Sequence, residues 1–327
     1  MTVYRSASDL VLDNVFLEMS ALVDGINLIL KIECFNPAGS IKLKTAVSLL
    51  DDAERRGLLK PGGDVIESSS GNLGIALSSI CAVRGHHFTC VTDPNTSPQS
   101  IALMKVFGAS VVEVTEKDAK GGYLQTRIDY IHKRIVADPG LFWPNQYANS
   151  ANPAAHYERT AGAIAKEVRD LGYLFVGTGT AGTLMGCARY FRAHSPRTKI
   201  IAVDTEGSVT FGFPPRRRHI PGLGTSRKPE ILEPELADDV VVVSEGDAIR
   251  MCRLVAMKYG IAVGGSTGSV LAAVVRSSPG IPLGASVVAI SPDSGDRYLD
   301  TIYDDIWVEK RFGTAVLQTT ALGRCDA

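Results

Sequence analysis

Several short segments carry residue types whose spacing could do chemistry. The first is Asn36-Pro-Ala-Gly-Ser-Ile-Lys42. Asn, Pro and Gly favour a tight turn, Ser40 can cap a following helix, and Lys42 then falls in that helix's first turn. The partial positive charge of a helix N-terminus disfavours an ammonium. If the site is also dry, the lysine pKa falls and a neutral amine becomes available for a Schiff base. An ordinary capped helix with a solvated lysine would give the same pattern. The second segment, Ser68-Ser-Ser-Gly-Asn-Leu-Gly74, joins an apolar run to a helical one. Its small residues leave backbone N–H groups open at a helix N-terminus, which suits a carboxylate. Asn72 adds an amide that could meet a cofactor oxygen. A glycine-rich turn that only needs unusual dihedrals reads the same way.

The third segment comprises Gly177, Thr178, Gly179, Thr180, Ala181, Gly182 and Thr183. It matches G-x-G-x-x-G, and Asp204 follows near the place of a ribose-binding acid. A dinucleotide-binding oxidoreductase is therefore a competing reading. Against it, the segment is mid-chain, and Lys42 would have no role in a dehydrogenase. Hydroxyls beside open N–H groups suit a terminal phosphate with its several acceptor oxygens. Two later segments, Gly264-Gly-Ser-Thr-Gly-Ser269 and Ser291-Pro-Asp-Ser-Gly-Asp-Arg-Tyr298, read as small-residue loops. The second places Ser294 at a strand's C-terminal end, where α/β sheets bind ligands.

Composition bounds the partners. The 327 residues hold 34 Lys+Arg against 35 Asp+Glu, a net charge of -1, which argues against polyanion partners such as nucleic acid. Six cysteines (Cys34, Cys81, Cys90, Cys187, Cys252 and Cys325) have no paired spacing, so no metal site is expected. The six histidines show no ligand spacing either. No uninterrupted apolar stretch reaches the roughly 20 residues of a membrane span. The expectation is a cytoplasmic protein with free thiols, no membrane contact and small-molecule substrates.

These segments need elements to position them. Strand-length apolar runs fall at 27–33, 64–67, 88–91, 110–114, 173–176, 199–203, 239–243 and 286–290. Helical patterns fall at 44–56, 75–84, 97–107, 122–137, 156–171, 183–194, 245–259 and 269–277. Such alternation predicts an α/β protein, with twisted parallel-type sheets flanked by helices. Two domains are expected. One is a smaller unit at 41–150 with a mobile part near 85–135. The other is a larger unit formed by 10–40 plus 151–312, and a tail follows at 313–327.

In this order the segments resemble the pyridoxal-phosphate enzymes of fold type II, the cysteine synthase and cystathionine β-synthase family, with its tryptophan synthase β-like fold. The resemblance covers roughly 10–312. It implies pyridoxal 5'-phosphate on Lys42, a substrate carboxylate held by Ser69, Ser70, Gly71 and Asn72, and Asn72 also near the cofactor's 3-oxygen. It further implies a phosphate cup at Gly177–Thr183 and Ser294 on the pyridine nitrogen. Gln146 and Tyr147 lie in the family's Gln-Tyr…Asn-Pro segment. Leu43-Lys44 departs from the usual Asp-Arg. Segments 121–127, 206–212, 220–227 and 264–269 resemble a branch that joins O-phospho-L-serine to L-glutamate. Its product, N-(2-amino-2-carboxyethyl)-L-glutamate, leads to 2,3-diaminopropionate in staphyloferrin B-type siderophore or antibiotic biosynthesis. Arg127 and Arg218 are candidates for the phosphate and dicarboxylate charges. Cysteine synthesis from O-acetylserine or O-phosphoserine, and a silent pyridoxal-binding scaffold, are the remaining alternatives. The family implies a homodimer.

Overall fold

The structure, a computed structural model, describes residues 3–119 and 121–318. Its strands form two sheets. The chain opens with a short strand β1 (Phe16–Glu18), antiparallel to β2 (Asn27–Ile32). It then leaves to build a three-stranded parallel sheet from β3 (Asp64–Ser68), β4 (His87–Thr92) and β5 (Ser110–Glu113). Strands β6 (Leu171–Gly177), β7 (Lys199–Thr205), β8 (Asp239–Val243) and β9 (Ser286–Ser291) return to the first sheet. That sheet runs β1-β2-β9-β6-β7-β8, parallel except at the β1 edge.

The helices are α1 (Lys42–Arg55), α2 (Asn72–Arg84), α3 (Pro98–Val106), α4 (Leu124–Ala137), α5 (Ala151–Ala155), α6 (Gly162–Glu167), α7 (Gly182–His194), α8 (Glu245–Tyr259), α9 (Gly265–Ser277) and α10 (Asp305–Phe312). Side chains alternate between sheet faces, so both faces of each sheet must be covered. In β9, Val287 and Ala289 join the core under α8 and α9, while Val288 and Ile290 join the core under α6 and α7. In the smaller sheet, Val65 and Cys90 face α1 and α2, whereas Ile66 and Val91 meet Ile131 of α4. Caps set the helix ends. Ser97 accepts from the Ser100 N–H at 3.2 Å to start α3, and Ser244 accepts from the Asp247 N–H at 3.1 Å to start α8. Gly85 and Gly260 end α2 and α8 in the left-handed region.

Three expectations need correction. Ser40 does not cap α1; it is buried, its hydroxyl has no partner, and its backbone bridges Asp293. Residues 264–269 are not a loop, because α9 begins at Gly265. The helix expected at 156–171 begins at Ala151, passes through a π turn at His156–Ala161, and ends at Glu167. Burial of Asn152 and His156 overrides the local signal there. Strand β1 and helix α10 were not visible as periodic patterns, being three and eight residues long. Of the tail, Thr314–Val316 forms a 3-10 turn with Val316 buried; positions 319–327, with Cys325, lie outside the described residues.

The Leu43-Lys44 departure has a structural answer. Leu43 is buried in the core of the smaller sheet. Lys44 is buried too, and its ammonium lies 2.7 Å from both Glu33 Oε2 and Asp13 Oδ1. Lys31 meets Glu33 at 3.0 Å, and Arg159 meets Asp13 at 2.9 Å. The cluster therefore joins the end of β2, the first turn of α1 and the π turn. Breaking a buried pair strands the partner charge. Lys44→Ala is expected to lower stability by about 3–5 kcal/mol in urea unfolding; a loss below ~1 kcal/mol, the exposed-pair range, would contradict this reading.

Candidate active site

A cavity of about 310 Å³ opens between the two sheets. Its walls come from the C-terminal ends of β3, β6 and β9 and the first turn of α1, the place where parallel sheets expose backbone donors to ligands. Lys42 is the first residue of α1 and faces this cavity. Its Nζ donates to Thr180 Oγ1 at 3.4 Å. Burial pulls its pKa down to about 8, against the opposing pull of the Glu67 carboxylate. A substantial neutral fraction at neutral to mildly alkaline pH makes this amine a nucleophile.

The loop after β3 supplies the facing wall. Ser69 Oγ accepts from the Gly74 N–H at 2.9 Å and so anchors the start of α2. A Cβ on Gly74 would sit 2.7 Å from Met104 Sδ and 2.8 Å from Cys90 Sγ, so only glycine lets the helix approach β4 this closely. Ser69, Ser70, Gly71 and Asn72 all line the cavity. The Asn72 amide is held at both ends: Nδ2 donates to Asp293 Oδ2 at 2.8 Å, and Arg297 donates to Oδ1. Arg297 also donates to the Ala38 carbonyl of the lysine turn. Tyr298 donates to the same Asp293 oxygen at 2.6 Å, while burial pushes the Asp293 pKa up.

Glu67 lies behind that loop. Its carboxylate accepts from the Ser68 N–H at 2.7 Å, the Trp143 indole at 3.0 Å and the Gln146 N–H at 3.2 Å. It thereby staples the end of β3 to the segment that carries Gln146 and Tyr147. Burial raises its pKa to about 7, with the three N–H donors opposing. Arg127 of α4 enters from the side. It is 7% exposed, its Nε lies 3.4 Å from Asp93 Oδ2, and Nε and Nη1 have no hydrogen-bond partner. Tyr147 lines the cavity, with the Arg227 guanidinium 5.4 Å over its ring and its phenol pKa raised by burial.

The structure brings together Lys42, Ser69, Ser70, Gly71, Asn72, Arg127, Gln146, Tyr147, Gly177, Gly179, Thr180, Ala181, Gly182 and Thr183 around one cavity. Three expected residues fall outside its lining. The Thr178 side chain is fully buried, and its backbone ties Val203 to Gly224 at 2.8 Å each. Arg218 points to Ser226 at 3.3 Å and toward Asp204. Ser294 pairs through its backbone with Val263. On that wall the serine in the lining is Ser266, from the first turn of α9. Its segment was read as a loop, which hid that it points a helix N-terminus at the cavity. Glu67, Asp293 and Arg297 were also missed, because a lone acid or arginine in sequence carries no sign of what it will touch. Asp204 is fully buried and outside the lining, which removes the acid that a dinucleotide site would need. Among the described residues no group of three or more His, Cys, Asp or Glu could hold a metal, and no helix is long and apolar enough to cross a membrane.

Residues 15–293 match the family model of the pyridoxal-phosphate dependent enzymes. The chain belongs to that family, in its fold type II branch. It is 39% identical over 309 residues to N-(2-amino-2-carboxyethyl)-L-glutamate synthase of Ralstonia nicotianae, covering 94% of this chain and 91% of the relative. It superposes on O-ureido-L-serine synthase with a TM-score of 0.84 at 29% identity, covering 94% of this chain and 99% of that one. It superposes on the O-acetylserine dependent cystathionine β-synthase of Helicobacter pylori with a TM-score of 0.86 at 27% identity, covering 93% and 100%. Pyridoxal 5'-phosphate is therefore its cofactor, and β-replacement is the chemistry of its branch.

The residues present fit that group. The segment 177–183 ends at the N-terminus of α7, a favourable seat for a phosphate. Ala181 adopts the left-handed conformation at φ +67, strain of the kind that marks ligand-cradling loops. Lys42 offers a primary amine with a depressed pKa in the same cavity. Reductive methylation of cofactor-free protein should modify Lys42 half-maximally near pH 8, well below the 10.5 of an unperturbed lysine. A midpoint near 10.5 at Lys42, read by peptide mass spectrometry, would show that the amine is not desolvated.

Proposed function

We propose that this protein joins O-phospho-L-serine to L-glutamate by β-replacement. The product is N-(2-amino-2-carboxyethyl)-L-glutamate, a source of 2,3-diaminopropionate for siderophore or antibiotic biosynthesis. The observation that carries this reading is Arg127, a buried guanidinium with unpaired N–H groups in the same cavity as Lys42. Asp93 approaches Nε at 3.4 Å without a hydrogen bond; buried donors are normally satisfied, so the guanidinium is open to a further anionic acceptor. The similarity to the Ralstonia nicotianae enzyme supports the same pair of substrates.

When bound, pyridoxal 5'-phosphate supplies an electron sink beside the substrate α-carbon. The chain's residues do the rest. Backbone N–H groups at the start of α2, with Ser69, Ser70 and Asn72, hold the α-carboxylate. Arg297 and Asp293 keep the Asn72 amide in one orientation, since a guanidinium only donates and a carboxylate only accepts. The Lys42 amine takes the α-proton and later returns it. Arg127 receives the phosphate as it leaves, where a fork of donors is worth more than a point charge. Ser266, in place of Ser294, is assigned to the cofactor's ring nitrogen; a neutral hydroxyl there leaves that nitrogen uncharged. Gln146 and Tyr147 complete the substrate wall and help exclude water.

Two experiments test the reading. Phosphoserine added to the cofactor-loaded protein should release phosphate and shift the visible absorption, and L-glutamate should then restore the absorption and give a product of the expected mass. Restoration by sulfide but not by glutamate would replace this reading with cysteine synthesis. Arg127→Gln should raise KM for phosphoserine about tenfold to a hundredfold, from the ~1.5–3 kcal/mol of a charge-assisted hydrogen bond. KM for O-acetylserine should change by less than about threefold, since each such factor is well under ~1 kcal/mol. Equal losses on both substrates would remove Arg127 from leaving-group recognition.

A further inference from the structure

Behind segment 177–183 lies a buried polar chain that ends at Lys44. The Asn152 side chain lies between Gln146 and Thr45. Its partner at 2.8 Å is the Gln146 carbonyl, which only accepts, so the amide nitrogen must face it. The same nitrogen donates to Thr180 Oγ1 at 3.4 Å. The Asn152 oxygen then faces Thr45, whose hydroxyl must donate to it at 3.3 Å. With its one hydrogen used, Thr45 can only accept from His156 Nε2 at 3.1 Å. Thr183 Oγ1, 3.4 Å from the same nitrogen, accepts as well. The neutral imidazole therefore carries its proton on Nε2, and Nδ1 accepts from Thr160 at 3.1 Å. Thr160 in turn accepts from the Lys44 ammonium at 3.3 Å.

The direction is set from the Gln146 carbonyl, which only accepts, and the donation from Lys44 to Thr160 is compatible with it. Burial, with Lys42 and Lys44 nearby, holds the imidazole neutral. The chain has one consequence at the cavity. Thr180 accepts from Asn152 and Lys42, and Thr183 accepts from His156, so both hydroxyl hydrogens are left for something else. Both side chains line the cavity. Gly182 lies between them and presses on the chain: a Cβ there would fall 2.0 Å from Asn152 Oδ1.

We propose that Asn152, Thr45, His156 and Thr160 are positioning residues that fix Thr180 and Thr183 as donors toward the cofactor phosphate, with the Gln146 carbonyl setting the direction of the chain. The proposal rests on the assignment of segment 177–183 to that phosphate and is independent of the choice of phosphoserine and glutamate. A hydroxyl that could turn either way would lose rotational freedom on binding; here that freedom is already spent on contacts within the protein.

The test compares pyridoxal 5'-phosphate with pyridoxal, which shares the aldehyde and ring and lacks the phosphate. Their ratio of dissociation constants isolates the phosphate contacts from the Lys42 bond. Asn152→Asp replaces the donor to Thr180 by an acceptor and should cut the preference for the phosphorylated form at least tenfold. Thr45→Val, which breaks the chain without changing charge, should cut it about threefold to tenfold, and Thr45→Ser should restore it. Nitrogen NMR of the loaded wild-type protein, assigned against His156→Gln, should show His156 wholly as the Nε2–H tautomer, and Thr45→Val should give a mixture of tautomers. An Nδ1–H tautomer in the wild type overturns the proposal, as does an unchanged preference in both variants. A protein that passes these tests and rejects phosphoserine would fail only the substrate assignment.

Discussion

The ammonium of Lys44 is fully buried, and two carboxylates and a hydroxyl hold it there. A charge in that position is tolerable only if every partner stays in place. Glu33 follows β2, Asp13 precedes β1, and Thr160 sits in the π turn, so the requirement locks three distant stretches onto the first turn of α1. Lys42 is two residues upstream on that turn. Its position over the cavity is thus set by a neighbour that never touches the cavity itself. Through Thr160 the same ammonium also meets the polar chain of His156, Thr45 and Asn152 behind the opposite wall.

Two buried groups of opposite type have their charges weakened by the same loss of water. Lys42 and Glu67 are both short of water, and burial moves their pKa values toward each other, to about 8 and about 7. Each would be charged in water at neutral pH; in the protein each holds its charge weakly. Glu67 differs from Lys42 in having three N–H donors around it, so it holds the loop after β3 against Gln146. The site thereby keeps a neutral amine in reach without placing a naked carboxylate in its path.

Much of this was legible in the chain. The alternation of apolar runs and helical patterns gave the two-layer-covered sheets, because a parallel strand buried on both faces has to be apolar throughout, as Val287, Val288, Ala289 and Ile290 show. The lysine turn, the serine–asparagine loop and the glycine–threonine loop were legible because turn chemistry is local. What stayed hidden was contact between distant positions. Ser294 and Ser266 are both serines in small-residue segments, and only the register of β9 and the start of α9 decide which one faces the cavity. Arg127 and Arg218 are both arginines near glycine-rich stretches, yet one enters the cavity and the other turns to Asp204. The π turn was hidden for a related reason: His156 and Thr160 are ordinary helix residues until three threonines close around the ring.

The strand order of the larger sheet carries a consequence for how the protein is made. Strand β2 pairs with β9, so Asn27 waits for Ser286 before its ladder can close. The smaller sheet, β3 to β5, is contiguous in the chain and complete by Glu113. During synthesis its strands and helices can therefore assemble while the first strands still lack their neighbour. The wall that carries Asp293 and Arg297 is among the last parts to emerge. A nascent chain displays the lysine turn early but cannot enclose a ligand, so cofactor capture is reserved for a chain whose far end has already arrived.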